Sequence, residues 1–532
     1  MNVAPILSGD NTIPGEQIPD DVKKRMPEIF QTCSDFGLDY PPTVVEFLDW
    51  DTMAEICSYG GFPSRYPHWS FGMEWEEFRK GYLAGRHRVY EIVINSVPVY
   101  LYCLNSNTYT DNVTVIAHAL GHADFFKTNI FFKSTNQHVI NEAEDQYGTS
   151  AVNEMACHGT RIRKYFTRRG KDQVGRFIDK VLMIRTLIDP SAAWERRKCK
   201  EVIVSDNREY KFPKKVKVDD GHDYMDEWLN TPEYMRQEEQ RIKEDEIKEE
   251  LNIFSEPTRD IFGFLKNNAP LNPWQQDVMS MLYNEELYFS PQRPTKILNE
   301  GWASYVDFNI MARMGLALSS GIFSYAHHKA GVLGGKYSMN PYKLGFNLLL
   351  DIEERWNKGR FGSEYEKCDD ITLKHKWDKK LGLGREKVFE VRKYYNDMTL
   401  MHEFLTPEFI AKYKMFEWRL MANGEYQIVS RDPKAIKKKL MQRFMNGGLP
   451  DIKLEDPNYK GKGYFLMQHN HIGLSLLDRW VKEVLPSIFF FWKNKVLLAT
   501  KAKDGQEMVY VCGGETAKDV KLVSRNDLDA HL

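Results

Sequence analysis

The sequence predicts a mainly α-helical protein with a small β-sheet, an α+β fold, followed by a separate C-terminal α+β module. Three observations carry this. Two β-rich runs, 89-VYEIVI-94 and 97-VPVYLYCL-104, flank the turn residues Asn95-Ser96 and lead straight into a long helical segment. Helical periodicity then dominates to about residue 424. Beyond that point the pattern becomes β-α-β-β-α-β, enough for an α+β module of roughly a hundred residues.

In chain order, residues 1–18 read as a polar, flexible N-terminal arm. Residues 19–36 and 43–59 read as amphipathic helices separated by Pro41-Pro42. The Gly/Pro/aromatic run 61-GFPSRYPHWSFGMEW-75 reads as a loop carrying His68, of a kind that can line a pocket. Thr110 or Asp111 is the expected N-cap of the helix in 111-DNVTVIAHALGHADFFKTN-129. Residues 136–187 read as helical with breaks at Gly148 and Gly170. An insertion follows at about 190–260, and its run 235-MRQEEQRIKEDEIKEEL-251 is a solvated helix face. A helical segment starts at Glu300, and a Gly-rich loop then carries His327, His328 and Tyr342 into another helix. The expected division is an arm (1–18), a mostly helical domain (19–424) and a C-terminal α+β domain (425–532). In the last, the basic run 434-KAIKKKL-440 is a solvated face and no chemical constellation stands out.

Composition narrows the classes. The net charge is -2, so nothing global favours nucleic acid. Aromatic residues make up 13% against 42% hydrophobic residues, which favours a globular protein with clefts over disorder. The seven cysteines are scattered and contain no C-x-x-C pair, so a disulfide framework or cysteine zinc knuckle is not expected. The first residues lack a secretory pattern, and the most apolar run, 484-VLPSIFFFW-492, is too short to span a bilayer. A cytoplasmic protein is the expectation.

The chemistry centres on His118 and His122. At i and i+4 they project from one helix face, the spacing with which a helix offers two nitrogen ligands to one metal ion. A β-hairpin feeding such a helix is also the layout of zincin domains. Glu300, on a second helix, is the expected third ligand, with His158 in reserve. The residue after His118 is Ala119, so the glutamate that serves as base in His-Glu-x-x-His sites is missing. Asp124, Glu142, Glu154 and Glu91 are the alternative bases, although Asp124 lies about 200° round the helix from His122. His328 joins the catalytic candidates, and His327, Tyr342, His68 and Tyr305 the substrate contacts, since His and Tyr are common donors to an oxyanion. One divalent metal is expected, zinc first and iron second. Three readings stand: a metal-dependent amide hydrolase, a catalytically degenerate zincin-like scaffold, and a non-haem iron redox protein.

Several segments together resemble the stage V sporulation protein R (SpoVR-like) family. They are YPHWSFG at 66–72, YEIVINS at 90–96, AHALGHADFFKTN at 117–129, HGTRIRKY at 158–165, LNEGWASY at 298–305, NPYKLGF at 340–346, HEFLTPEF at 402–409 and GLPDI at 448–452. The resemblance implies an intracellular protein, a link to the peptidoglycan of the spore cortex in the founding member, and a serine-kinase-like partner. The order HALGH, NEGWA and PYKLG is also similar to that of gluzincin metallopeptidases. That likeness implies His118, His122 and Glu300 as ligands and His327 or His328 and Tyr342 as substrate donors, against a peptide or cell-wall-derived substrate.

Overall fold

The computed structural model describes residues 6–7, 18–85, 89–133, 151–192, 257–315, 321–334, 340–502, 504–513 and 519–532. The chain falls into two compact units, Met1–Arg176 with Leu287–Leu449, and Phe177–Glu286 with Pro450–Leu532. Most elements are helices and the sheets are small, so the α+β class holds. No helix among the described residues is long and apolar enough to cross a membrane. Glu142 and the 235–251 run lie outside the described residues.

The first unit is built on a four-stranded sheet of β1 (Ile6–Leu7), β2 (Thr43–Leu48), β3 (Glu91–Ile94) and β4 (Val99–Leu104), in the order β1-β2-β4-β3. β2 runs parallel to β1 and β4, and β3 is antiparallel to β4. Two expectations are corrected here. The arm contributes a strand, and 43-TVVEFL-48 is a strand rather than the start of a helix, which begins only at Trp50. Thr43, Val44 and Val45 are β-branched, and a central strand covered on both faces reads as a continuous apolar run that periodicity cannot tell from a buried helix.

One face of this sheet packs on helix Tyr109–Thr128, whose residues from Asp111 to Phe126 are all buried. A helix buried on every side lies within the core, and its buried polar residues, His118, His122 and Asp124 among them, need partners there. Its N-cap is Thr108, two residues before the expected position, and Asp111 completes a capping box. Two further helices close the core, Lys296–Arg313 and Pro341–Lys358. The three meet at small residues. A methyl group added to Gly121 would lie 3.0 Å from Ala303 Cα, and one on Gly301 would lie 2.4 Å from the carbonyl carbon of Gly345.

Helix Lys296–Arg313 receives no side-chain cap from Thr295. Asp397 supplies one from a distance: the N–H groups of Ile297 and Leu298 donate to its carboxylate at 3.0 and 2.9 Å. These bonds satisfy donors that a helix start leaves open. Burial outweighs them and pushes the Asp397 carboxyl up to about 7. In the unfolded chain it titrates near ~3.9. A raised folded pKa means that the native state holds the proton longer. The contribution is therefore complete below pH ~4 and is lost as pH rises toward 7. Asp397→Asn is expected to flatten the fall in Tm across that window, leaving the part that Asp124, raised to about 6, also contributes. An unchanged slope in a pH series of thermal melts would exclude Asp397 as a source.

The second unit carries a five-stranded sheet in the order β11-β10-β9-β8-β7: β7 (Ile452–Tyr459), β8 (Tyr464–His469), β9 (Val496–Lys501), β10 (Glu507–Cys512) and β11 (Val520–Ser524). Helix Asp478–Trp492 links the parallel pair β8 and β9. Two strands, β10 and β11, extend the expected pattern. The first expected strand is absent from this sheet. Residues Tyr426–Ser430 form β6 and pair instead with β5 (Glu417–Leu420) in the first unit, in which helix Pro433–Phe444 also lies.

Candidate metal centre

The two histidines leave helix Tyr109–Thr128 toward helix Lys296–Arg313, one on either side of the Gly121–Ala303 contact. Each ring is fixed through Nδ1. His118 Nδ1 lies 2.9 Å from Asp307 Oδ2, and His122 Nδ1 lies 2.9 Å from Asn299 Oδ1. Both partners accept, so each Nδ1 carries the proton and each Nε2 presents a lone pair. Asp307 also takes the Lys329 ammonium at 2.6 Å and the Tyr325 hydroxyl at 3.2 Å. Burial opposes its charge, but Lys329 and His118 outweigh burial and hold the carboxyl below its usual range. Burial keeps His118 neutral, with its pKa lowered to about 4.

Glu300 completes the set. Its Oε2 lies 3.5 Å from His122 Nε2, and the ligand atoms of His118, His122 and Glu300 all fall within 4.8 Å of one another. Ligands of one tetrahedral zinc at 2.0–2.1 Å stand about 3.4 Å apart, so a small side-chain rotation closes the set. Burial raises the Glu300 carboxyl and the Tyr342 hydroxyl beside it works against that rise; the Tyr342 ring lies near-parallel to His118 with centroids 6.5 Å apart. Glu91, on β3, brings a further carboxylate to 3.9 Å from His118 Nε2. Burial first, then Glu300 and Asp307, push Glu91 up to about 8.

These residues fit a divalent cation. Glu300 Oε2 is buried with no hydrogen-bond partner, a state that costs free energy unless another group compensates. Two Nε2 lone pairs face the same point. Three carboxylates gather here: Glu300 and Asp307 both act on Glu91, Lys329 offsets Glu91 and Asp307, and Lys296 offsets Glu300. Imidazole Nδ1 groups bonded to a carboxylate and an amide oxygen are the outer support that metal-ligating histidines require.

The remaining expected site residues lie elsewhere or in different settings. Asp124 faces away from the histidines and pairs with Arg392 at 2.5 Å. His158 is buried and pairs with Glu154, 3.8 Å away on the same helix, Ala151–Arg169. His68 is the N-cap of helix Trp69–Leu83 and is bonded to Ser70. Tyr305 is fully buried against Trp302 and Phe36. The expected loop at His327 and His328 is a helix, Ile322–Val332. His327 is exposed, while His328 Nδ1 lies 3.0 Å from Asp111 Oδ1. Glycines 331, 334 and 335 suggest a loop, but helix packing on Asp111 and Asp307 overrides that weak propensity. Sequence reasoning missed Asp307, Asn299 and Lys329. Asp307 was findable, being two turns after Glu300 and hence on its face. Lys329 carried no such signal.

A family model described as "SpoVR like protein" matches residues 16–449. A protein of Escherichia coli (strain K12), "Uncharacterized protein YcgB", is 26% identical over 509 residues, which cover 90% of this chain and 91% of that protein. No solved structure matches the chain.

Proposed function

The chain belongs to the SpoVR-like family, and from that premise we propose that it is a metal-dependent hydrolase of amide bonds, with peptide or peptidoglycan-type fragments as its substrate class. One observation carries the reading: two imidazoles anchored at Nδ1 and the orphaned Glu300 oxygen converge on one point. His118, His122 and Glu300 would hold the ion, zinc before iron, in a zincin-like arrangement with a position left open. When bound, the ion supplies Lewis acidity toward a carbonyl and an acidified water. Asp307 and Asn299 keep both imidazoles in the ligating tautomer. Tyr342, beside Glu300 and His118, is the donor for a developing oxyanion.

Elemental analysis of the wild type beside His118→Ala and Glu300→Ala tests this. About one equivalent of metal is expected in the wild type and little in either variant, with circular dichroism unchanged. A coloured protein containing iron would move the reading to redox chemistry. No metal after reconstitution with zinc or iron would end it. Ala119 favours a second reading, a scaffold that keeps the metal but turns nothing over. Loaded protein inert toward peptides and peptidoglycan fragments is its expected result.

A further inference from the structure

Ala119 stands where the proton acceptor of a two-histidine helix usually sits, and its methyl group is buried in the core. Asp124 is occupied by Arg392, and Glu154 by His158. Strand β3 supplies another carboxylate. Along β3, Ile92 and Ile94 pack into one apolar cluster, whereas Val93 packs into the core that contains the histidine helix. Side chains alternate along a strand, so Glu91 shares the face of Val93. Its cross-strand partner on that face is Cys103, and that of Val93 is Leu101. A carboxylate on such an apolar face is costly unless it is paired. The Glu91 carboxylate makes no hydrogen bond among the described residues, and the basic atom within 4 Å of it is His118 Nε2 at 3.9 Å. Its side chain is 21% accessible, so it borders both solvent and the point that the ligand atoms face. β3 is also an edge strand, paired only with β4 among the described residues.

We infer that Glu91, reaching in from the edge strand, is the catalytic proton acceptor that Ala119 cannot be. The inference rests on the metal-dependent reading of His118, His122 and Glu300. Glu91 takes one proton from water as the water oxygen bonds to the amide carbonyl carbon. As the C–N bond breaks, that proton passes from Glu91 to the leaving nitrogen. The products are a carboxylic acid and an amine, Glu91 is restored, and no other reactant is consumed.

The test compares zinc-loaded wild type, Glu91→Gln and Glu91→Asp. Zinc affinity is measured by competition with a chromophoric chelator, and affinity for acetohydroxamic acid by calorimetry. A hydroxamate binds a metal while its hydroxyl donates to an adjoining carboxylate. Glu91→Gln, which keeps the shape of the side chain, is expected to hold zinc within about threefold of wild type and to bind the hydroxamate at least about tenfold more weakly. Glu91→Asp should recover part of that loss. A loss of zinc affinity beyond about tenfold would make Glu91 a ligand and overturn the inference. Unchanged hydroxamate affinity would make it a bystander. Wild-type protein that takes up no zinc would remove the underlying reading and this inference with it, and the wild-type metal content alone reports that case.

Discussion

Gly345→Ala is expected to destabilise the first unit by about 3 kcal/mol and to lower its metal content as well. The added methyl group would sit 2.1 Å from the carbonyl oxygen of Ile297 and 2.8 Å from Gly301 Cα. Both neighbours are backbone, so no flexible side chain can give way. Helix Lys296–Arg313 must move, and Glu300 is the residue next to Gly301. The substitution gains helix propensity, about 1 kcal/mol, so the clash must exceed that before any loss appears. Gly72→Ala is the control. Gly72 lies within helix Trp69–Leu83 with nothing within 4 Å of the added methyl group, and only the propensity gain is expected there. Urea unfolding and zinc analysis of both variants check the argument. A Gly345→Ala protein as stable as the Gly72→Ala control would show that the close helix crossing is not required.

The same crossing explains what could be read from the sequence and what could not. His118 and His122 were legible because i, i+4 spacing on a helix is a local property. Glu300 was a guess from the motif, and what brings it to the histidines is not local. Gly121 accommodates Ala303, so the histidine helix and helix Lys296–Arg313 approach closely enough for a glutamate side chain to span the gap, and Gly301 accommodates Gly345, which seats that second helix on Pro341–Lys358. Nothing in the spacing of residues 118, 300 and 342 encodes that. Asp124 stands two residues past His122, and its rotation around the helix points it away from the histidines, to Arg392. Strand β2 was missed because burial on both faces removes the alternation that marks a strand. The order helix–strand–strand–helix–strand after residue 432 was legible from turn residues and β-branched runs. The pairing of Tyr426–Ser430 with Glu417–Leu420, rather than with β7 to β11, depends on tertiary packing.

Arg392→Met is expected to cost about 3–5 kcal/mol at neutral pH, the usual price of stranding a buried charge. Arg392 Nη1 donates to both oxygens of Asp124, at 2.5 and 2.6 Å, and Asp124 is completely buried. Asp124 also accepts from Trp302 Nε1 at 3.0 Å and from the Asp39 N–H at 2.7 Å. The guanidinium lies over the rings of Trp302 and Phe389, 5.1 and 4.8 Å from their centroids, so its removal also opens an apolar gap. Even with Arg392 present, burial pushes the Asp124 carboxyl up to about 6. Without the cation it rises further, and the native variant takes up a proton at neutral pH. The penalty should therefore shrink as pH falls through the native pKa, because a protonated Asp124 has no need of a cation. Asp124→Asn in the Arg392→Met background removes the charge and keeps an acceptor for one of the two donors, Trp302 Nε1 or the Asp39 N–H. That double variant should recover much of the loss in urea unfolding at pH 7. It should also retain its metal, since neither residue touches His118, His122 or Glu300. A single variant that loses less than about 1 kcal/mol would mean that Asp124 is solvated in the native protein, contrary to its geometry. Recovery of stability with loss of metal would mean that Trp302, two residues from Glu300, transmits strain from this pair into the metal centre.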